Sequence, residues 1–67
     1  MLMLVCPYCG GELNMDEIYR LFRCKFHLEN NDLNQIVGLP FVTVRHNDCF
    51  PFGVEYNKRT GKFKVKK

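Results

Sequence analysis

The sequence predicts a small α+β fold made of an N-terminal cysteine knuckle, one short helix and a three-stranded antiparallel β-meander. Three observations carry this expectation. Cys6 and Cys9 stand two residues apart and run into Gly10-Gly11; Ile18, Leu21, Phe22 and Phe26 recur at helical spacing; and beyond Pro40 apolar and polar residues alternate with period two.

The knuckle comes first. Residues 2–13 read as a short hairpin in which apolar residues lead into the cysteine pair and Gly10-Gly11 supply the positive φ values that a tight turn needs. A helix is expected over about residues 16–27, with Asn14 or Asp16 as N-cap and Glu17 in the first turn. The same stretch also reads as a strand, since Arg20, Phe22, Cys24, Phe26 and Leu28 alternate with Leu21, Arg23, Lys25, His27 and Glu29, and only Leu21 breaks the polarity rule. Glu29-Asn30-Asn31-Asp32 is a turn, and Leu33, Ile36 and Val37 add one helical turn that stops at Gly38 before Pro40.

The meander comprises residues 41–46, 52–57 and 62–66, separated by His46-Asn47-Asp48-Cys49 and by Asn57-Lys58-Arg59-Thr60-Gly61. Val42, Val44, Phe52, Val54, Tyr56, Phe63 and Val65 face the core in this register, while Lys62, Lys64 and Lys66 face outward along an edge. The whole is one domain, residues 1–67, with knuckle and helix in 1–29 and the meander in 41–67.

Sixty-seven residues bury too little surface for a robust core, so a staple is expected. With 46% hydrophobic and 25% charged residues the chain is globular in composition. Its four cysteines could form two disulfides, the device of small secreted proteins. The short apolar start without a basic segment offers no export signal, and the two-residue spacing of Cys6 and Cys9 suits a metal knuckle, so a cytoplasmic, metal-stapled protein is the expectation. No run approaches the roughly 20 apolar residues of a membrane span.

A structural zinc ion takes four thiolate or imidazole ligands in a tetrahedron, usually as two pairs from two tight turns. Cys6 and Cys9 form one pair. Cys24 with His27 and His46 with Cys49 each offer the second, with two residues between partners. Fourteen residues separate Cys9 from Cys24, an ordinary finger spacing, and residues three apart share a helix face; Cys6, Cys9, Cys24 and His27 are therefore the expected site. His46 and Cys49 are the alternative: Asn47-Asp48 makes a tight turn, and His46, in phase with Val42 and Val44, points inward and could reach the knuckle. A site of all four cysteines is a third arrangement. Each residue also has an ordinary reading, a lone histidine as a hydrogen-bonded polar group and a lone cysteine as a small buried hydrophobe.

Cys6-Pro7-Tyr8-Cys9-Gly10-Gly11-Glu12-Leu13 resembles the first knuckle of zinc ribbons and of classical zinc fingers. The resemblance spans about residues 4–28, where Leu13 and Leu21 fall at the apolar positions of a classical finger relative to Cys9 and Cys24. It implies one structural zinc. The chain differs from a classical finger in having cysteine as the first helical ligand, a closer second pair and a longer link, and from a ribbon in having no glycine after His27.

A closed shell of thiolates and imidazole leaves no coordination position for substrate, so no enzymatic activity is expected. His46 with Cys49 is the one pair with a nucleophile and a base, and it sits on a single tight turn without a carboxylate cluster or phosphate loop beside it. The net charge of +3 is uneven: residues 1–40 hold three basic and five acidic side chains, residues 41–67 seven and two. Arg45, Lys58, Arg59, Lys62, Lys64, Lys66 and Lys67 are the candidate phosphate contacts to DNA or RNA, non-specific because no base-reading array is evident. The same lysines also suit a solvated edge strand that resists aggregation. A protein-interaction adaptor is the other expectation, with Phe50, Pro51 and Phe52 as the docking corner.

Overall fold

A computed structural model describes residues 4–66 and shows the expected α+β architecture. One α-helix, α1 (Met15–Phe26), is followed by a 3-10 turn (Leu33–Gln35) and three strands, β1 (Phe41–Val44), β2 (Phe52–Asn57) and β3 (Lys62–Lys66). The knuckle is a minimal hairpin: Val5 and Glu12 form an antiparallel bridge, and Leu13 N–H donates to the Leu4 carbonyl at 2.9 Å. Leu2 and Met3, the expected start of this hairpin, and Lys67 lie outside the described residues.

The helix reading of residues 16–27 holds, with boundaries one residue earlier, and the strand reading does not. Asn14 is the N-cap, its Oδ1 accepting from Asp16 N–H at 3.0 Å, while Asp16 and Glu17 place negative charge in the first turn, where the helix dipole favours it. At the other end His27 adopts a left-handed conformation, φ 57°, and Leu28 N–H closes back on the Arg23 carbonyl at 3.0 Å, the signature of a Schellman cap. His27 thus ends the helix instead of continuing it.

The sheet is a meander in the order β1-β2-β3, antiparallel throughout. Its inner face contributes Val42, Val44, Phe52 and Val54 to the core, all buried, with Tyr56, Phe63 and Val65 half-buried beside them. Against this face lie Ile18 and Phe22 of α1, Leu13 of the knuckle, and Leu33 and Ile36 from the 3-10 turn. Val37, which the sequence assigned to the same helical turn, is instead 95% exposed, and Gly38 at φ 99° turns the chain toward β1.

Phe22 is the centre of this packing, fully buried and in ring contact with Phe26 and Phe63 at 6.1 and 5.9 Å. On the outer face Gly53 has a steric role, because a Cβ there would lie 2.2 Å from the ring of Phe41 across the strand pair. Truncating Phe22 to alanine should cost about 3–5 kcal/mol. A domain of this size carries only about 3–10 kcal/mol in all at the usual ~0.05–0.15 kcal/mol per residue, so denaturant unfolding of Phe22→Ala should show little or no folded baseline.

Candidate metal centre

Cys6, Cys9, His46 and Cys49 converge, with one ligand atom from each lying within 4.8 Å of all the others. The knuckle delivers the first two. Cys6 N–H donates to the Gly11 carbonyl at 2.8 Å and Gly10 N–H to the Cys6 carbonyl at 2.9 Å, with Gly10 at φ 76°, so the chain reverses tightly around both sulfurs. Tyr8 N–H points at Cys6 Sγ and Gly11 N–H at Cys9 Sγ, each at 3.5 Å. Such amides favour the thiolate form that binds metal.

The second pair comes from the corner between β1 and β2. Cys49 N–H donates to the His46 carbonyl at 3.0 Å, and Asn47 takes the left-handed conformation, φ 52°, that closes the turn. His46 continues the inward phase of Val42 and Val44 past the end of β1, and its Nδ1 lies 3.3 Å from Cys9 Sγ. Gly11 makes this approach feasible by being small: a Cβ there would sit 3.1 Å from the His46 ring. Its service is therefore space, while the positive φ expected at both glycines is found at Gly10.

Burial raises the affinity of Cys6 for its proton, but hydrogen bonds from the Tyr8 and Cys9 amides and from the thiols of Cys49 and Cys9 outweigh it, leaving the group lowered to about 6. Cys49 carries the opposite shift, pushed up to about 11 by its hydrogen bond to Cys6, by burial and by the neighbouring Cys9. Cys6 and Cys49 thus hold their protons unequally across the hydrogen bond between them. A tetrahedral ion with bonds of about 2.3 Å to sulfur and 2.0–2.1 Å to nitrogen sets its ligand atoms roughly 3.6–3.8 Å apart. The cluster needs only small adjustment to reach that spacing, so three sulfurs and one imidazole can hold one metal ion.

Cys24 and His27, the pair expected to complete the knuckle, do not join it. Cys24 is exposed on α1, two residues and hence about 200° around the helix from buried Phe22. His27 is exposed at the C-cap, so the two share no helical face. No disulfide forms among the four cysteines. His46 and Cys49 are the alternative pair that the sequence offers, marked by the inward phase of His46.

The other candidate residues divide. Lys62, Lys64 and Lys66 are exposed on the outer sheet face, as is Arg45 beyond β1, but Lys66 Nζ stands 4.0 Å from Glu55 and Lys58 Nζ is taken up by the Ile36 carbonyl. Arg59 is exposed in the β2–β3 turn. Of the aromatic corner, Phe52 belongs to the core, whereas Phe50 is 75% exposed and meets Tyr8 edge-on at 5.9 Å. Among the described residues no helix is long and apolar enough to cross a membrane. Comparisons with family models, with curated proteins and with solved structures find no match to this chain.

The two ligand pairs are separable by metal analysis of purified variants. His46→Ala/Cys49→Ser should lose the bound ion, and Cys24→Ser/His27→Ala should retain one per chain. His27→Gly offers a sharper contrast, because glycine relieves the left-handed cap: this variant should keep its metal and gain up to about 1 kcal/mol in denaturant unfolding, where loss of a ligand would destabilise it.

Proposed function

We propose that the protein is a structural-zinc mini-domain without catalytic activity, which presents a basic sheet face to the phosphates of a nucleic acid. The observation that carries the zinc reading is the convergence of Cys6, Cys9, His46 and Cys49, two tight turns each giving a pair of thiolate or imidazole donors. With four protein ligands in place the ion has no open position for water or substrate, so it acts as a staple. Its binding free energy is then folding free energy for a chain whose core is small.

The nucleic-acid reading is supported by the outward phase of Lys62, Lys64 and Lys66 on β3, an edge strand, with Arg45 beyond β1 and Arg59 in the adjoining turn. Alternate residues of a strand stand about 6.6–6.8 Å apart on one face, which suits a row of contacts along an extended backbone more than the reading of a single base. The alternative, a protein-interaction adaptor, is supported by Phe50, exposed beside Tyr8 near the cysteine knuckle.

Purified protein should carry one zinc ion, and chelation should lower its thermal midpoint and expose the core. Binding to single-stranded RNA, followed by fluorescence anisotropy, should weaken with salt at a log–log slope of roughly −2 to −3 for three or four phosphate contacts. Lys64→Ala should flatten that slope by about 0.7, while Phe50→Ala leaves it unchanged. A salt-insensitive interaction that Phe50→Ala abolishes would favour the adaptor instead.

A further inference from the structure

The free edge of β1 runs along α1, and the space between them has the form of a peptide groove. Tyr56 N–H donates to the Pro40 carbonyl at 2.9 Å, which identifies the pairs Pro40–Tyr56, Val42–Val54 and Val44–Phe52 as those exchanging hydrogen bonds across β1 and β2. By the same alternation, the N–H and C=O groups of Phe41, Thr43 and Arg45 point away from β2. The Phe41 carbonyl is already occupied, accepting from Lys25 Nζ at 2.6 Å. Among the described residues, no partner stands opposite the Thr43 N–H, the Thr43 carbonyl or the Arg45 N–H.

The helix follows this edge in the opposite direction. Lys25 near its C-terminus meets Phe41, and Asn14 and Glu17 at its start lie with Arg45 and His46 around a cavity of about 180 Å³. Its apolar lining comes from Leu13, Ile18, Leu21 and Val44. Positions 17, 21 and 25 are spaced about 6 Å apart along the helix, close to the spacing of positions 45, 43 and 41 along the strand, so helix and edge keep step, with the cavity at the end formed by residues 43–46.

We propose that this groove accepts an extended, acidic peptide segment of a partner protein as a fourth strand on β1. Unpaired strand N–H and C=O groups are met in register by another extended backbone, and the cavity has room for one or two apolar side chains. The charge pattern selects the acidic partner: Arg45 and Lys25 stand at the two ends of the edge, and the one acidic group in the groove, Glu17, is tied to Arg20 at 2.5 Å. A second copy pairing its own β1 edge here would bring Arg45 and Lys25 of both copies together, like charge against like. Apart from His46, the groove uses none of the metal ligands, and of the residues in the nucleic-acid reading it shares Arg45 and none of the β3 lysines.

The test uses the metal-loaded full chain, selected against a random decapeptide library displayed on beads, with one enriched peptide then synthesised for solution work. The expected result is enrichment of acidic sequences with alternating β-branched residues, and slowed exchange of the Thr43 and Arg45 amides when the peptide binds. Thr43→Pro removes an outward N–H without touching the β1–β2 ladder, as proline does on edge strands, and should weaken binding at least about tenfold with the metal retained; Arg45→Glu should weaken it about three- to tenfold. No enrichment, an enriched set that is basic or proline-rich, or full affinity in Thr43→Pro overturns the proposal. So does protection of Thr43 in the free protein that rises with concentration alongside a dimer in sedimentation, which would make a second copy the occupant.

Discussion

The convergence of four side chains that can hold a metal ion, with Cys9 and His46 brought together from 37 positions apart, is the constraint on which the rest of this structure depends. The knuckle has one bridge and a few turn hydrogen bonds of its own, too little to hold a two-strand hairpin in water. The β1–β2 corner likewise carries a left-handed asparagine and a single closing bond at its turn. Each end is marginal alone, and a cation between them would fix both at once. It would also seat Leu13 over the core and set the start of α1, since Asn14 caps the helix immediately after the knuckle.

From that junction the packing follows in order. The helix leaves the knuckle with Ile18 and Phe22 turned toward the sheet, and Phe22 meets Phe63 from the far strand, so one aromatic residue links the first half of the chain to the last. The sheet is thereby closed by α1 on one face and left open on the other, where Lys62, Lys64 and Lys66 line β3. At the β1 edge the closure is partial. Lys25 caps one carbonyl, and the backbone beyond it faces a small cavity. A lysine on an edge is a common guard against strand addition; here it covers one residue and leaves the next two.

Much of the fold was legible because the relevant signals are local. Helical spacing from Ile18 to Phe26 and two-residue alternation beyond Pro40 reflect which side chains can share a face, and both give the observed elements to within a few residues. The exceptions have local causes too. His27 leaves the helix because the chain turns left-handed there, and Val37 is exposed because the 3-10 turn ends at Gln35 and Gly38 reverses direction. The β1 edge groove could not be read from sequence, since it arises from how a helix and a strand far apart in the chain come to lie side by side.

The sequence by itself determined the meander, left residues 16–27 between helix and strand, and supplied one candidate ligand pair with two candidate second pairs of the same two-residue spacing. Tertiary structure alone decided between them. Spacing within a turn tests whether two side chains can grip one ion together; it cannot test whether that turn comes back to the knuckle. The burial of Phe22 rotates Cys24 to the solvent side of α1, while the pairing of β1 with β2 carries His46 and Cys49 back over Cys6 and Cys9. The choice of ligands was thus made by which faces of the helix and sheet had to be buried, a property of the whole chain that no four-residue motif contains.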